Sequence, residues 1–503
     1  MATEEIVTPR PVKPREVRGN ETMSGRAATS AARGAKDLQE IVRLCKTRGF
    51  VFASNDIHGG FANSFDFGPL GVLLKRNIEQ SWWRRFVTEQ DACYGLDSSV
   101  MLPPVVWEKS GHLQNFSDPL VDCRNCGKRY RADHLCEAEG NDETNRQAMR
   151  EVLSNGKCPC GKLQPWGEEV SKVRDFNLMF ETLVGPVVED GAAAFFRPET
   201  AQGTYLNFGN YTKTAQPRLP LGIAQVGKAF RNEVTPGQFL FRTREFEQME
   251  LQWFCRDEEA EQWFDHWLAE GLSWLHGTIG VRPESVRLCE HDASQLAHYA
   301  RRTTDIEFKY PFGWGELWGF ANRGTYDLSC HGVEYREPGG GKSFVPTVIE
   351  PALGLNRLVL AVLCDAFREE TVITPGGDGA PDKEEKRTVL GFEPSIAPYA
   401  LAVMPLVKNN AEQRGMSEQL VRDLRAASPH LSIVLETSSG SIGKRYRRYD
   451  EIGTPYCVTV DYDAPSTGQV TVRDRDSMAQ VRIAASDLMS MNLTGLQRAF
   501  AEH

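Results

Sequence analysis

Long apolar runs are absent from this chain. No segment of its 503 residues approaches the ~20 consecutive apolar positions of a membrane-crossing helix, so the expectation is a protein that is not integral to a membrane. The N-terminal segment MATEEIVTPRPVKPREVRGNETMSGRAATSAARG has no hydrophobic region of the kind that marks a secretory signal. It lacks aromatics and is rich in Pro, Thr, Arg and Glu, which reads as a disordered tail over residues 1–34. Recurrent acidic residues set it apart from an Arg-rich organelle transit peptide. A basic excess is missing too: 58 Lys and Arg against 68 Asp and Glu give a formal net charge of −10. That excludes a uniformly basic nucleic-acid coat and leaves room for a local basic patch. Internal repeats are absent. What remains is ordinary globular composition, 41% hydrophobic and 25% charged, enough for two or three domains with real cores.

Twelve cysteines without a signal segment point to a reducing compartment, the cytoplasm, rather than to disulfides. Cys45, Cys93, Cys255, Cys289, Cys330, Cys364 and Cys457 are scattered, and interior packing is the default for each. The other five cluster. DCRNCGKRYRADHLC gives Cys123-x2-Cys126 and then Cys136, and GKCPCGK gives Cys158-x-Cys160. The first pair, followed by Gly127, is half of a zinc knuckle. The second is one residue shorter and demands a different turn. Cys123, Cys126, Cys158 and Cys160 are thus candidate ligands of a structural Zn²⁺, with Cys136 or His134 as a replacement. The alternative is a set of reduced cysteines that folds without metal.

DLQEIVRLCKTRGF has helical spacing behind a capping Asp37. After a turn at Gly68-Pro69, a second helix carries Leu73, Leu74, Ile78, Trp82 and Phe86 on a wide aromatic face, suited to a core or to a subunit interface. Between Ser110 and Val173 the texture is short, polar and cysteine-containing, which marks 111–173 as an insertion. Strand-like runs then return around a Trp-rich helix at Glu258–His276. Strands and helices do not alternate regularly, which predicts an α+β fold around an antiparallel sheet over residues 35–373. TPGGDGAPDKEEKR, residues 374–387, has the composition of a linker. Beyond it strand and helix alternate from YALAVMPLV to YCVTVDY, which predicts a separate α/β domain over 388–503.

Two segments carry charge where strands should be apolar. FRNEVTPGQFLFRTREFEQMEL, Phe230–Leu251, reads as two strands around a Pro236-Gly237 turn. Arg231 and Glu233 then share a face, as do Arg242, Arg244, Phe246, Gln248 and Glu250. Guanidinium groups, an aromatic ring and carboxylates together suit a nucleotide plus an amine. A solvated hairpin with cross-strand ion pairs is the alternative. In VPTVIEPALGLNRLVLAVL a strand ends at Glu350-Pro351, Gly354 allows close backbone approach and Arg357 sits in the first turn of a helix, a ready anion site. Near the C-terminus, KRYRRYD interleaves basic residues with Tyr446 and Tyr449, which suits phosphate contact and base stacking on single-stranded RNA. A solvated basic helix face is the alternative.

These segments carry a family resemblance. FRNE…FRTREFEQME resembles motif 2 of the class II aminoacyl-tRNA synthetases, IEPALGLNR resembles motif 3, and DFGPLGVLLKRNIEQSWWRRF resembles motif 1. RPETAQG and GSIGKRYRRYDEIGTPYCVTVD are similar to the single-chain, dimeric glycyl-tRNA synthetases. The resemblance implies a class II antiparallel-sheet catalytic domain with an inserted cysteine-containing subdomain, plus a C-terminal α/β anticodon-binding domain. It also implies a homodimeric ligase that uses ATP and Mg²⁺ to form glycyl-adenylate and pyrophosphate, then transfers glycine to the 3′ end of tRNA(Gly).

Residue by residue, the resemblance puts Arg231 on the α-phosphate, where charge builds during transfer. Asn232 and Glu233 would lie in the ATP site, with Glu233 near the adenine amine and Phe246 stacked on the base. Arg242 or Arg244 would reach the outer phosphates, in company with Phe241, Thr243 and Glu245. Arg357 would face the adenine from the other side, next to Gly354, Leu355 and Asn356. Glu316 and Leu317 fall at a further ATP position, with Glu316 as the Mg²⁺ ligand. Arg231, Arg357 and Glu316 form the implied catalytic set. Around glycine the resemblance places Arg131, Glu199, the run Phe246, Glu247, Gln248, Met249 and Glu250, and the run Glu350, Pro351, Ala352, Leu353 and Gly354. The family pattern has Ser, expected to contact the amino acid, where this chain has Ala352; a backbone group or water could take over that hydrogen bond. A non-catalytic synthetase-like accessory protein would be expected to lose the phosphate arginines first, and here they stand. A zinc-dependent RNA-binding module leaves both charged segments unexplained.

Overall fold

The structure, a computed structural model, describes residues 33–138, 146–163, 166, 173–186, 191–215, 217–293, 296–297, 299–374, 383–491 and 493–501. The tail read over 1–34 lies outside these residues save for Arg33 and Gly34. His134 keeps a described backbone, and its side chain lies outside.

Asp37 caps α1 (Leu38–Arg48) by accepting from the Gln39 amide, and Gly49 ends it at φ +80°. Pro69 occupies the first position of α2 (Pro69–Trp83), where its missing N–H costs nothing. The aromatic face of α2 is core: Trp82 and the following Phe86 are buried, their rings 5.5 Å apart, against Trp267, Trp274 and Trp318.

That core lines one face of a seven-stranded sheet. Its strands are β1 (Cys93–Gly95), β2 (Leu221–Phe230), β3 (Glu245–Cys255), β4 (Val286–Glu290), β5 (Arg302–Tyr310), β6 (Gly313–Gly324) and β7 (Thr347–Gly354), in the order β4-β5-β6-β7-β3-β2-β1. Every pairing is antiparallel except β1 beside β2. This is the antiparallel α+β arrangement that the sequence predicts. The period of two divides β3. Met249, Leu251, Trp253 and Cys255 enter the core under α2, α3 (Ala260–Gly277) and α4 (Leu355–Ala366), whereas Phe246, Gln248 and Glu250 turn to a cavity on the opposite face.

The insertion is a small layer of its own. Ser117–Asp122 pairs with Arg129–Arg131 on one side and Arg174–Asn177 on the other. Cys123, Leu135, Cys136, Met149, Leu153 and Trp166 form its interior.

At both ends of the linker expected at 374–387 the described residues are in strands. Thr374 ends strand β8 (Phe367–Thr374), and Lys383–Arg387 belong to β9 (Lys383–Leu390), which pairs with it from Phe367↔Leu390 to Thr374↔Lys383. A charge run that composition assigns to solvent pairs instead as an antiparallel ribbon, with Glu370 opposite Arg387. Residues 375–382 lie outside the described residues.

The C-terminal sheet has the order β11-β10-β12-β13-β14, from β10 (Leu401–Pro405), β11 (Ile433–Leu435), β12 (Tyr456–Val460), β13 (Gln469–Asp474) and β14 (Gln480–Ala484). The first three strands are parallel, as the strand–helix alternation predicts, and the last two are antiparallel additions. Both faces are covered. Leu401, Val403, Val458 and Val460 pack with Leu420, Val421 and Leu424 of α5 (Ala411–Ala427). Ala402, Met404 and Cys457 face the other way, toward Tyr446 and Tyr449 of α6 (Ile442–Glu451), and join the main core with Phe50, Leu390 and Phe392. No disulfide joins the twelve cysteines. Among the described residues no helix is long and apolar enough to cross a membrane.

Candidate active site

Between β2 and β3 the chain does not make a simple hairpin. Phe230 ends β2 and Glu245 begins β3, so Arg231–Arg244 is a loop. It turns through a 3₁₀ segment, Phe239–Phe241, and closes on a Gly237–Arg242 bridge. Gln238 and Phe239 both stand at left-handed φ, +56° and +57°, which side chains adopt only when the surroundings hold them there. Asn63, from a distant loop, supplies that hold: its Nδ2 donates to the carbonyls of Phe239 (2.9 Å) and Arg242 (2.7 Å). Asn63 carries no sequence signal, because its partners are backbone atoms.

The loop geometry breaks the face rule beyond the strand. Arg242 lines the cavity, whereas Arg244 points away from it and donates to the Ala62 carbonyl. Glu245 also faces outward, to Lys228, and Glu247 meets Lys75 of α2 at 2.6 Å. Arg231 enters the cavity, held by Nε on the Pro198 carbonyl at 3.1 Å, with its guanidinium 5.3 Å from the Phe246 ring and 5.4 Å from that of Phe116. Glu233 lines the same cavity, and its Oε2 is buried with no hydrogen-bond partner among the described residues. The Asn232 amide is taken by the Leu178 carbonyl, and Asn232 is not in the lining. Phe241 and Thr243 are in it.

From the opposite wall comes Arg357. Strand β7 does not stop at Glu350-Pro351 but runs on to Gly354, so Glu350, Ala352 and Gly354 face the cavity in alternation. Leu353 and Leu355 are buried in the core, as are Met249 and Leu317, and Pro351 lies between strands opposite Phe320. Those five side chains therefore do not reach the cavity: Met249 and Leu353 alternate to the far side of their strands, and Leu317, Pro351 and Leu355 are likewise absent from the lining. Arg357 donates from Nε to the Phe241 carbonyl (3.1 Å) and from Nη1 to Glu316 Oε2 (2.9 Å). Its positive charge holds the Glu316 carboxyl below its usual range. Asn356 accepts from the Glu247 amide and lines the cavity.

The cavity, about 330 Å³, narrows to a box of buried carboxylates. Arg323, 1% exposed, is its one guanidinium among the described residues. It donates to Asp327 (2.8 and 3.1 Å) and Glu350 (2.8 Å), pairs with Glu199 at 3.5 Å, and lies 3.9 Å from the Tyr299 ring. Glu250 completes the box and accepts from Thr200 Oγ1 at 2.6 Å. Four carboxylates thus surround one fixed cation. The strain shows in their protonation. Burial resists ionisation of Glu199, but Arg323 and His112 override it and hold its pKa low. At Glu350 burial outweighs the help of Arg323, so its pKa is raised. Glu250, buried and repelled by Glu350 and Glu199, is pushed up to about 8. A second cation inside the box would relieve all of this.

The floor of the box is small. One register row crosses four strands as Asp305, Gly319, Ala352 and Glu250. A Cβ on Gly319 would sit 3.4 Å from Asp305 Oδ1 and 3.6 Å from Glu316 Oε1, so this glycine lies between two carboxylates. Asp305 meets His291 Nε2 at 2.8 Å, and burial with Glu316 beside it raises its pKa to about 6. Arg323, Asp327, Thr200, Asp305 and His291 escaped sequence reasoning. The spacing of Arg323 and Asp327, four apart at the end of β6, is the one signal the sequence offers. Arg131, by contrast, belongs to the insertion: it pairs with Asp118 (2.9 Å) and Asp133 (2.6 Å) and is absent from the cavity lining.

The four knuckle cysteines come together, with every sulfur within 4.8 Å of the others. Cys123 and Cys160 sulfurs are 3.9 Å apart, and those of Cys126 and Cys158 are 4.0 Å apart. A tetrahedral ion with Zn–S bonds of about 2.3 Å needs sulfurs ~3.8 Å apart. The short C-x-C half is accommodated by an equally short turn. Cys123 N bonds Lys128 O five residues on, whereas Cys158 N bonds Lys162 O four residues on. Cys136 is not in the cluster; its thiol lies 3.9 Å from the Met149 carbonyl.

Helix α6 corrects the reading of KRYRRYD. Tyr446 and Tyr449 are buried, their hydroxyls bonded to Thr459 Oγ1 (2.6 Å) and Glu436 (3.0 Å), so neither ring can stack on a base. Arg445 is spent on the Pro405 and Leu406 carbonyls, both at 2.7 Å. The periodicity of three to four places these residues on the inner face, while Lys444 is exposed and Arg447 and Arg448 are half exposed.

Comparison with known proteins agrees with this geometry. Residues 187–366 match the family described as tRNA synthetase class II core domain (G, H, P, S and T), and residues 400–493 match the anticodon binding domain family. Glycine–tRNA ligases of Staphylococcus aureus strains JH9 and Newman are each 44% identical over 472 residues, covering 90% of this chain and 98% of the relative. The crystal structure of prolyl-tRNA synthetase from Cryptosporidium parvum, complexed with L-proline and AMP, shares the fold with a TM-score of 0.57 at 14% identity. It covers 90% of this chain and 73% of that one.

Proposed function

The chain belongs to the glycine–tRNA ligases among the class II aminoacyl-tRNA synthetases, and from that membership we propose that it activates glycine with ATP and charges tRNA(Gly). The carboxylate box carries this reading. Four carboxylates around Arg323 lack one cation, and an amino acid's ammonium supplies it. Glycine is the smallest amino acid, so every competitor is larger and steric exclusion can suffice, without a second, hydrolytic sieve against a smaller one.

ATP fits the wider end. Glu233 Oε2, buried and unpartnered, is placed to accept from the exocyclic amine of adenine, with Phe246 and Arg357 as the two faces around the base. Arg231 and Arg242 would meet the phosphates. The glycine carboxylate attacks the α-phosphorus in line, and pyrophosphate leaves; no protein nucleophile is required. Arg231 stabilises the charge that gathers on the transferring group. Glu316, next to Asp305 across Gly319, would hold Mg²⁺, which neutralises phosphate charge when bound. Glycine-dependent ATP–pyrophosphate exchange tests the whole reading. Its absence in folded protein would refute it, and Arg231→Ala is expected to abolish exchange while leaving assembly intact.

The remaining assignments have separate support. Residues 35–373 would be the catalytic domain, 111–173 its insertion and 388–503 the anticodon-binding domain. Sulfur spacing supports Zn²⁺ on Cys123, Cys126, Cys158 and Cys160, a structural ion that would tie the two knuckle turns together. A homodimer is supported by the loop between paired strands Val51–Ala53 and Phe65–Phe67, where Ile57 is 90% and Phe61 82% exposed next to α2. Sedimentation would test it. Free cysteines and the lack of a membrane-crossing helix among the described residues support the cytoplasm.

A further inference from the structure

Helix α6 is the motif that the reaction leaves unused, and its inner face holds an ion network that spans two parts of the molecule. Asp450, wholly buried, receives three hydrogen bonds. Two come from Arg473 of β13, at 2.8 and 3.1 Å, and one from Arg387 of the ribbon strand β9, at 3.0 Å. Arg387 also donates to Glu370 of β8 at 2.9 Å and to the Arg475 carbonyl. Arg368, the second residue of β8 just after α4, pairs with Glu370 at 2.7 Å and with Asp476 beyond β13. Arg475 closes the ring, donating to Asp476 and to the carbonyls of Gly453 and Phe392 at 2.9 Å each.

The fit is close as well as charged. Gly453, just after α6, stands at φ +80°, and a Cβ there would lie 2.3 Å from the Phe392 ring. On the rim Glu451 of α6 pairs with Arg48 of α1, and Arg447 pairs with Glu385 of β9. Such a network is a poor source of stability, because removing four guanidinium groups and their partners from water costs about what their attraction returns. Its distinctive property is direction. An apolar contact tolerates sliding, whereas a carboxylate held by two forked guanidinium groups permits one orientation.

We propose that Asp450 is a positioning residue for tRNA charging. The Arg387–Asp450–Arg473 latch fixes the C-terminal sheet against the ribbon and the catalytic core, so that a tRNA held by the first presents its 3′ end to the second. Amino-acid activation needs only the cavity and does not depend on the latch. This rests on the charging of tRNA proposed above, and the activation half-reaction keeps the two separable: an inactive native enzyme refutes that reading, not the latch.

The test uses the full chain. In Asp450→Asn, glycine-dependent exchange is expected to stay within about twofold of native, while kcat/KM for tRNA charging falls about tenfold or more, on the scale of a broken buried pair. The rim supplies a rescue that does not risk the core. Glu451→Arg is expected to lower charging about threefold, the effect of one partly exposed pair, and Arg48→Glu in the same chain to restore it. Equal loss of exchange and charging, unchanged charging in Asp450→Asn, or a charge swap that fails to restore charging would each overturn the latch. Should Asp450→Asn not fold, the rim swap decides alone.

Discussion

Two buried ion networks in this protein have opposite balances. In the active-site box one guanidinium, Arg323, faces the carboxylates of Glu199, Glu250, Asp327 and Glu350. At the ribbon the guanidinium groups of Arg368, Arg387, Arg473 and Arg475 face Glu370, Asp450 and Asp476, and backbone carbonyls take the surplus donors. Excess donors can always be satisfied by carbonyl groups, so the second network is complete without a ligand. Excess carboxylates can take hydrogen bonds from hydroxyl and amide groups, as Glu250 does from Thr200, but these bring no positive charge, and Glu250 keeps its proton up to about 8 instead. The first network therefore stays charge-deficient until something cationic arrives. Counting both signs inside a buried cluster separates a binding site from a fastener.

The sharpest way to break that contrast is to remove the Arg323 guanidinium from the box. Arg323→Met is expected to cost about 3–5 kcal/mol in stability, with glycine activation lost, because four buried carboxylates are left uncompensated. Thermal melting and exchange assays read the two effects. Glu250→Gln attacks the deficiency itself. Its loss of charge is expected to raise KM for glycine about 10–100-fold, the price of one charged hydrogen bond. The native enzyme carries a pH signature that this variant lacks. Ligand-free Glu250 keeps its proton up to about 8, whereas an ammonium prefers the carboxylate, so KM for glycine is expected to fall from pH 6 to 8. The variant's KM is expected to stay flat over that range. The stability sign is the reverse: the raised pKa favours the fold at low pH, and this contribution is lost as pH rises from 4.5 through about 8.

The cysteine cluster is a third balance, four sulfurs closed by a metal. Cys160→Ser is expected to lower bound zinc from about one ion per chain to a small fraction, measured by elemental analysis, with exchange reduced only a few-fold because the cluster lies outside the cavity. Ala352→Ser gives the smallest effect. It adds a hydroxyl beside Glu250 and is expected to lower KM for glycine by up to about tenfold, within the ~0.5–1.5 kcal/mol of one hydrogen bond.

Where periodicity governed, the sequence was legible. Phe246, Gln248 and Glu250 share the cavity face as a strand requires, and the C-terminal strands and helices follow their apolar spacing. It failed where the backbone leaves regular structure or where a polar residue's surroundings decide its role. Arg242 and Arg244 share a face only on a strand, and the loop held by Asn63 sends them apart. Arg323 resembles any arginine at the end of an apolar strand until β7 brings Glu350 beside it. Tyr446 and Tyr449 resemble an RNA-binding pair until the catalytic core covers them. Local spacing tells which side of an element a residue occupies, and only tertiary structure tells what lies on that side.

The alternation along β10 and β12 bears on how the molecule could be cut. A fragment starting after the ribbon would keep α5 on one face of its sheet and α6 on the other, but would bare to water the part of the α6 side that packs with Phe50 and Leu390. Expressed alone, it would be sticky and prone to self-association unless that face were rewritten with polar side chains. The two halves of this protein are separable as sequences and matched by separate families, yet each is the other's missing wall.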